Sequence, residues 1–235
     1  MRAFQTARPT TWHLDGLIAR DRSARLDLEA PATGIFVPSE SGEDHLLGLD
    51  LRTPAGSVMP LVDHWLRGDD VVGVYRPGDP RRLEATAMWR TRSTDQLAWE
   101  LVLSAQTALV ESDGSLAVTC DVASGDIRTG RMTDGMLRWQ PFDGATALPH
   151  DATNLLVHRT HDALLIAVHP ADARRIIVSS NDDRTQIACW LFSAAIEKGV
   201  LHRGRVLAAI GPKDSTAWAI ALINKLVDAP PPLTT

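Results

Sequence analysis

Ala24-Arg-Leu-Asp-Leu-Glu29 alternates without a break: Ala24, Leu26 and Leu28 fall on one side of an extended chain, and Arg25, Asp27 and Glu29 on the other. Successive strand side chains face opposite ways, so this stretch predicts a strand with one dry and one wet face. The pattern spreads outward from it. Leu47-Gly-Leu-Asp-Leu-Arg52 turns Leu47, Leu49 and Leu51 inward, and Leu116, Val118, Cys120 and Val122 alternate with Ser115, Ala117, Thr119 and Asp121. One-sided strands of this kind belong to antiparallel sheets. Residues 163–169 and 187–192 are apolar on both faces and predict central strands covered on both sides. Strands of both kinds in one chain predict stacked sheets.

The connections agree. Arg67-Gly-Asp-Asp70, Pro77-Gly-Asp-Pro80, Ser112-Asp-Gly114, Asn181-Asp-Asp183 and Glu197-Lys-Gly199 each separate a pair of strand-like runs. Gly and Asn tolerate positive φ, Pro presets φ, and Asp bonds its own backbone. Short turns join antiparallel neighbours, whereas parallel strands need longer crossovers, usually helical. No crossover helix is legible between Leu14 and Ile210, which argues against an α/β nucleotide-binding fold. After Gly211-Pro-Lys-Asp214 the period changes. Asp214 or Ser215 can cap a helix, and Ala217, Ile220, Ala221, Ile223 (or Asn224) and Val227 follow helical spacing until Pro230-Pro-Pro232 ends it. Residues 125–149, rich in Gly, Asp, Thr and Met, read as a long connection that covers a cleft. The expectation is an all-β protein: a large antiparallel layered sandwich of the supersandwich kind. It forms a single domain over 1–235, with one C-terminal α-helix at about 215–227.

Composition narrows the function. The 235 residues are 44% hydrophobic, enough for a substantial core, and carry a net charge of −5, which favours neither nucleic acid nor anionic lipid. Residues 1–11 lack the apolar core of a secretory signal, and no run approaches the roughly 20 apolar residues that span a bilayer. Cys120 and Cys189, the only cysteines, sit inside apolar strand patterns and read as small buried hydrophobes of a reducing compartment. A cytoplasmic protein is expected, with no nucleic-acid or membrane partner and no cofactor.

No P-loop, paired CxxC, HExxH or G-x-S-x-G is present. His158-Arg-Thr-His161 has two imidazoles at metal-ligand spacing, but it falls in the turn between two apolar strands, where polar residues need no ion. Asn181-Asp-Asp-Arg184 offers oxygens without EF-hand spacing and reads as a hairpin loop. No metal is expected. Arg203 and Arg205, two apart on one strand, share a face and form a pair suited to a carboxylate, phosphate or uronic acid, or a solvated face balanced by neighbouring carboxylates. His202 points the other way. Glu84, Thr86, Met88 and Arg90 share one face of a hairpin, Ala85, Ala87 and Trp89 the other, and Trp99 and Glu100 lie on its return strand. His64-Trp-Leu-Arg67 adds Trp65 and Arg67. A sheet face mixing Trp, Arg, Glu and His suits sugars, because rings cover C–H faces while charged groups bond hydroxyls. Each Trp has core packing as its alternative.

Three features together resemble the β-supersandwich of galactose mutarotase-like proteins, over roughly residues 12–210. They are Trp65-Leu-Arg-Gly-Asp-Asp-Val-Val-Gly-Val-Tyr75, the hairpin over 82–100 and the Arg- and His-bearing strand over 200–210. The resemblance implies a sugar ligand on a concave sheet and, in the family's enzymes, a His acid with a Glu base. The Asn- and His-rich motif of aldose epimerases is not in the chain, and Glu197, the late glutamate, falls at a turn. The expectation is a carbohydrate-related binding protein without an identifiable catalytic motif. Two readings stand beside it. One is an epimerase-like or polysaccharide-processing enzyme, for which His158, His169, His202 and Glu100 supply the imidazoles and the carboxylate. The other is a structural or protein-interaction module.

Overall fold

The computed structural model describes residues 11–39, 42–51, 59–78, 83–92, 94–113, 116–133, 136–144, 146–181, 183–192 and 195–230. In chain order the strands begin with β1 (His13–Asp15), β2 (Ile18–Arg20), β3 (Arg25–Asp27), β4 (Ile35–Ser39) and β5 (Gly42–Asp50). Then come β6 (Leu61–Arg67), β7 (Asp70–Tyr75), β8 (Leu83–Thr91), β9 (Leu97–Thr107), β10 (Glu111–Asp113), β11 (Leu116–Ala123), β12 (Asp126–Thr133) and β13 (Met136–Pro141). The last are β14 (Ala152–His158), β15 (Ala163–Val168), β16 (Arg175–Ser180), β17 (Arg184–Phe192), β18 (Ala195–Glu197) and β19 (His202–Gly211), followed by the helix α1 (Ala217–Asp228). Three of the predicted turns include Asp79, Pro80, Gly114 or Asp182, which lie outside the described residues.

Two large antiparallel sheets result. One has eight strands in the order β1-β2-β3-β4-β5-β11-β17-β16, and the other nine in the order β13-β12-β14-β15-β19-β9-β8-β7-β6. The predicted alternation of β3 and β8 holds: Leu26, Ala85, Ala87 and Trp89 are buried between the sheets, and Glu84, Thr86, Met88 and Arg90 face the other way. The inner faces share one core that includes Trp12, Leu26, Leu49, Tyr75, Trp89, Trp99, Leu101, Ile166 and Ile187. Buried polar atoms tie the layers together. The Trp89 indole N–H donates to the Leu47 carbonyl at 2.9 Å, and the Tyr75 hydroxyl to the Leu28 carbonyl at 3.0 Å. Asp44 of β5, fully buried, is salt-bridged to Arg159 in the turn after β14, and it also accepts the Ala123 N–H at 2.9 Å.

Three expectations are corrected. Residues 126–133 and 136–141 are the paired strands β12 and β13 rather than a loop, and β12 pairs with β14 on its other side. Its polar residues fit because one face of an outer hairpin is wet, while Gly130 leaves room for Trp139, whose ring would lie 2.9 Å from a Cβ there. β17 is covered on one face only. Ile187, Cys189 and Leu191 are buried, whereas Trp190 is half-buried on the outer side under the Arg175 guanidinium, 5.4 Å from its ring. The helix forms where expected, with the Ser215 hydroxyl accepting the Ala217 N–H at 3.2 Å, but its buried face is Trp218, Ala219, Leu222, Ile223 and Leu226. Ala221 and Val227 face solvent. At 12 residues, α1 is neither long nor apolar enough to cross a membrane.

Candidate ligand-binding face

The outer face of the nine-stranded sheet is built in two halves. Over β14, β15 and β19 it is apolar, with Leu156, Leu165, Ala167, Leu207 and Ala209 buried beneath α1. This explains why β15 is apolar on both faces: the other sheet covers one side and the helix the other. Toward β6 the helix cluster reaches no further than Ala98 on β9.

Antiparallel register arranges the uncovered half in rows. Arg67, Asp70, Arg90 and Glu100 lie opposite one another across β6, β7, β8 and β9, and Leu207 of β19 ends the row. Trp65, Val72, Met88, Val102 and Arg205 form the next row, and Asp63, Val74, Thr86, Ser104 and Arg203 the third. An apolar row therefore runs between two polar ones; its Val72 and Val102 are buried, Met88 is half-buried, and Trp65, 41% exposed, stands at its outer end.

The first row is held by charge. Arg90 lies 3.1 Å from Asp70 and 3.5 Å from Glu100, and Arg92 lies 3.4 Å from the same Glu100 oxygen. Glu100 is only 2% exposed, and a carboxylate so buried requires counter-charges. In the third row the Arg203 Nε donates to the Ser104 hydroxyl at 3.3 Å. Along the border with α1, a cleft of about 270 Å³ is lined by Thr91, Arg92, Leu207, Leu222, Lys225 and Leu226. That is close to the small end of ligand cavities, near 300 Å³.

Arg205 is turned toward the helix rather than to the uncovered half. Its backbone N–H and Nε donate to Asp172 at 3.0 and 3.3 Å, and its Nη1 to the carbonyls of Ala229 and Pro230 at 3.2 and 3.3 Å. It thus ties down the chain just past Asp228, the last residue of the helix. His169 is level with Arg205, its N–H bonding the Arg205 carbonyl at 3.2 Å, while its own Nδ1 accepts the Ala171 N–H at 3.2 Å and lies 3.8 Å from Asp172.

The structure thus brings Trp65, Arg67, Arg90, Glu100, Arg203 and Arg205 onto one face, with His169 at its far margin. Three candidates lie elsewhere. Trp99 is in the core between the sheets. His202 faces inward, its ring edge-on to Phe192 with centroids 6.1 Å apart. His158 is level with Gly211, six positions along β19 from Arg205 and so about 20 Å away. Burial, then the charge of Arg128, lowers its pKa from 6.5, while Asp126 opposes the shift and Lys213 adds to it. Among the described residues no group of His, Cys, Asp and Glu is placed to hold a metal ion.

Arg92, Asp70 and Lys225 were missed in the sequence. Arg92 follows Arg90 by two positions and so shares its face, a signal that was available. Lys225 belongs to the site only because α1 lies on the sheet, which no spacing in the sequence reveals.

A structure of YeaD from Salmonella typhimurium, described as a candidate mutarotase, matches with a TM-score of 0.51 and 10% identity, covering 88% of this chain and 95% of that one. The fold is galactose mutarotase-like. Looser matches are a GalM/aldose epimerase homologue from C. elegans (TM-score 0.42, 9% identity, 88% of this chain and 99% of that one) and the heparan sulfate lyase HepC from Pedobacter heparinus (TM-score 0.39, 10% identity, 84% and 30%). No protein-family model matches the sequence, and no curated protein does. On this galactose mutarotase-like fold, α1 covers one half of the outer face and leaves the other half, with its rows, uncovered by the helix.

Proposed function

We propose that the chain binds carbohydrate on the uncovered half of the outer face, and that its ligand is a chain of several sugars. The observation that carries this is Trp65, 41% exposed, in one row with the half-buried Met88 and between polar rows on both sides; Val72 and Val102 form the buried floor of that row. An indole offers a flat apolar surface to the C–H face of a pyranose, and flanking guanidinium and hydroxyl groups bond its hydroxyls. Trp65 on β6 and the cleft beside Leu207 on β19 are four strand spacings apart, about 19 Å. A ligand touching both is longer than a monosaccharide.

Binding without catalysis is the reading we favour. Acid–base epimerisation needs a donor and an acceptor converging on one ring. His169 supports a donor, since its Nδ1 is an acceptor and its Nε2 then carries the proton. Three carboxylates on the face are ion-paired: Glu100 with Arg90 and Arg92, Asp70 with Arg90, and Glu84 with Arg76; Asp63, at the edge strand, accepts the His64 N–H.

A glycan array followed by calorimetry tests this. The expected result is binding to oligosaccharides, weakened about tenfold or more in Trp65→Ala, the loss of roughly one stacking contact. An array without binders, or a ligand indifferent to Trp65, overturns it.

A further inference from the structure

The outer strand β6 carries an unusual surface for an edge. No described strand lies beyond it in the nine-stranded sheet. Val62, Trp65 and Leu66 are 47%, 41% and 38% exposed, three large apolar side chains within five residues. A bare edge with apolar side chains is a template for another strand. The other sheet ends are guarded. β16 is covered by the segment before β14, through Leu148 N–H to Ile176 O and Val178 N–H to Thr146 O, both 2.9 Å. β13 ends in Pro141, and β1 has only three residues. β6 has seven residues and no proline.

Its backbone is presented in the right sense. Arg67 and Asp70 pair across a two-residue turn, so alternate residues of β6 bond to β7 and the intervening ones point outward. His64 is one of these. Its N–H is taken by the chain's own Asp63 carboxylate at 2.8 Å, the bond a solvent-facing donor makes when no strand is there. Leu66 has the same parity.

We infer that β6 pairs antiparallel with β6 of a second copy of this chain, about a two-fold axis at Trp65. In that register His64 bonds Leu66 of the other copy, and Leu66 its His64, through the outward backbone groups. On the outer face Trp65 meets Trp65, and each Asp63 lies opposite the other copy's Arg67. Opposite charges on close cross-strand pairs favour this register. The interface is isologous, so both charge pairs and both hydrogen-bonded residue pairs form at once. The two outer faces then run on as one, with the two Trp65 rings at the seam. Such pairing does not depend on a carbohydrate ligand.

A single strand pair is a small interface, so a reversible dimer is expected rather than an obligate one. Sedimentation of the full chain should move from 25.6 kDa toward twice that mass between roughly 10 µM and 1 mM, the weak-affinity range for so little buried surface. Asp63→Arg and Arg67→Asp should each weaken association at least about tenfold, because each sets like charges opposite one another. The double variant, which exchanges the two charges, should restore it. Leu66→Lys should abolish it, and circular dichroism identifies any variant that fails to fold. A monomer throughout this range overturns the proposal. So does a dimer indifferent to Leu66→Lys, or a folded double variant that stays monomeric.

Discussion

Trp218 rests on Gly211, so closely that a Cβ at position 211 would lie 2.6 Å from the indole ring. The last strand of the sheet thus ends in the residue that lets the helix fold back onto it. The Trp218 indole N–H then donates to the Pro212 carbonyl at 2.9 Å, and Arg205 fixes the other end of the helix six positions earlier on the same strand. Between these two anchors α1 is laid along β19, and the boundary between covered and uncovered face is set.

Gly211→Ala should therefore displace the helix rather than leave it in place. Overpacking of this kind costs about 1–3 kcal/mol. For a chain of this size each kcal/mol lowers Tm by roughly 2–4 °C. Calorimetric unfolding of the variant measures it, and an unchanged Tm would mean that Trp218 has another seat.

Arg159 and Asp44 form a buried pair that joins the β14–β15 turn to the opposite sheet. Burial acts to lower the Arg159 pKa, but the hydrogen bond to Asp162 and the charges of Asp44 and Asp162 outweigh it and raise the value. Asp44→Ala leaves the guanidinium without its buried partner and should cost about 3–5 kcal/mol. Replacing both residues by apolar ones should cost less than the two single changes together, because the singles share one interaction. Urea denaturation of the three variants measures this.

His158 supplies a pH dependence. Its pKa in the folded chain lies below the ordinary 6.5, mainly through burial, so the unfolded chain binds the proton more readily. Stability contributed by the neutral ring is full above pH 6.5 and is lost as pH falls through the folded value. Tm should thus fall as pH drops below 6.5, and His158→Gln should flatten that region of the profile.

Both thiols are buried and free. Burial pushes Cys120 up to about 12 and Cys189 well above 9.0. A thiol reagent at pH 8 should therefore label neither in the native protein and both after unfolding. Rapid native labelling would contradict the packing of β11 on β17.

The layered sheets were legible because strict alternation leaves few other structures open. β3 and β8 read correctly residue by residue. β9 was harder. Leu97-Ala-Trp-Glu-Leu-Val-Leu103 is apolar at almost every position, so parity alone did not say whether Trp99 faced core or ligand. Helix phase was lost for a related reason. Ala217, Ile220 and Val227 are as apolar as the residues that are buried, and only the gap at Gly211 selects Trp218's face. Trp65 and Trp99 carry the same side chain in similar company, and it is sheet order that makes one an exposed edge and the other core.

The most direct test follows the indole N–H signals of the seven tryptophans by NMR while an oligosaccharide from the array is added to dilute protein. The Trp65 signal should shift with saturation, while those of Trp12, Trp89 and Trp99, buried between the sheets, stay in place. A bound sugar that moves Trp190 on the other sheet and leaves Trp65 unchanged would contradict the placement of the ligand face.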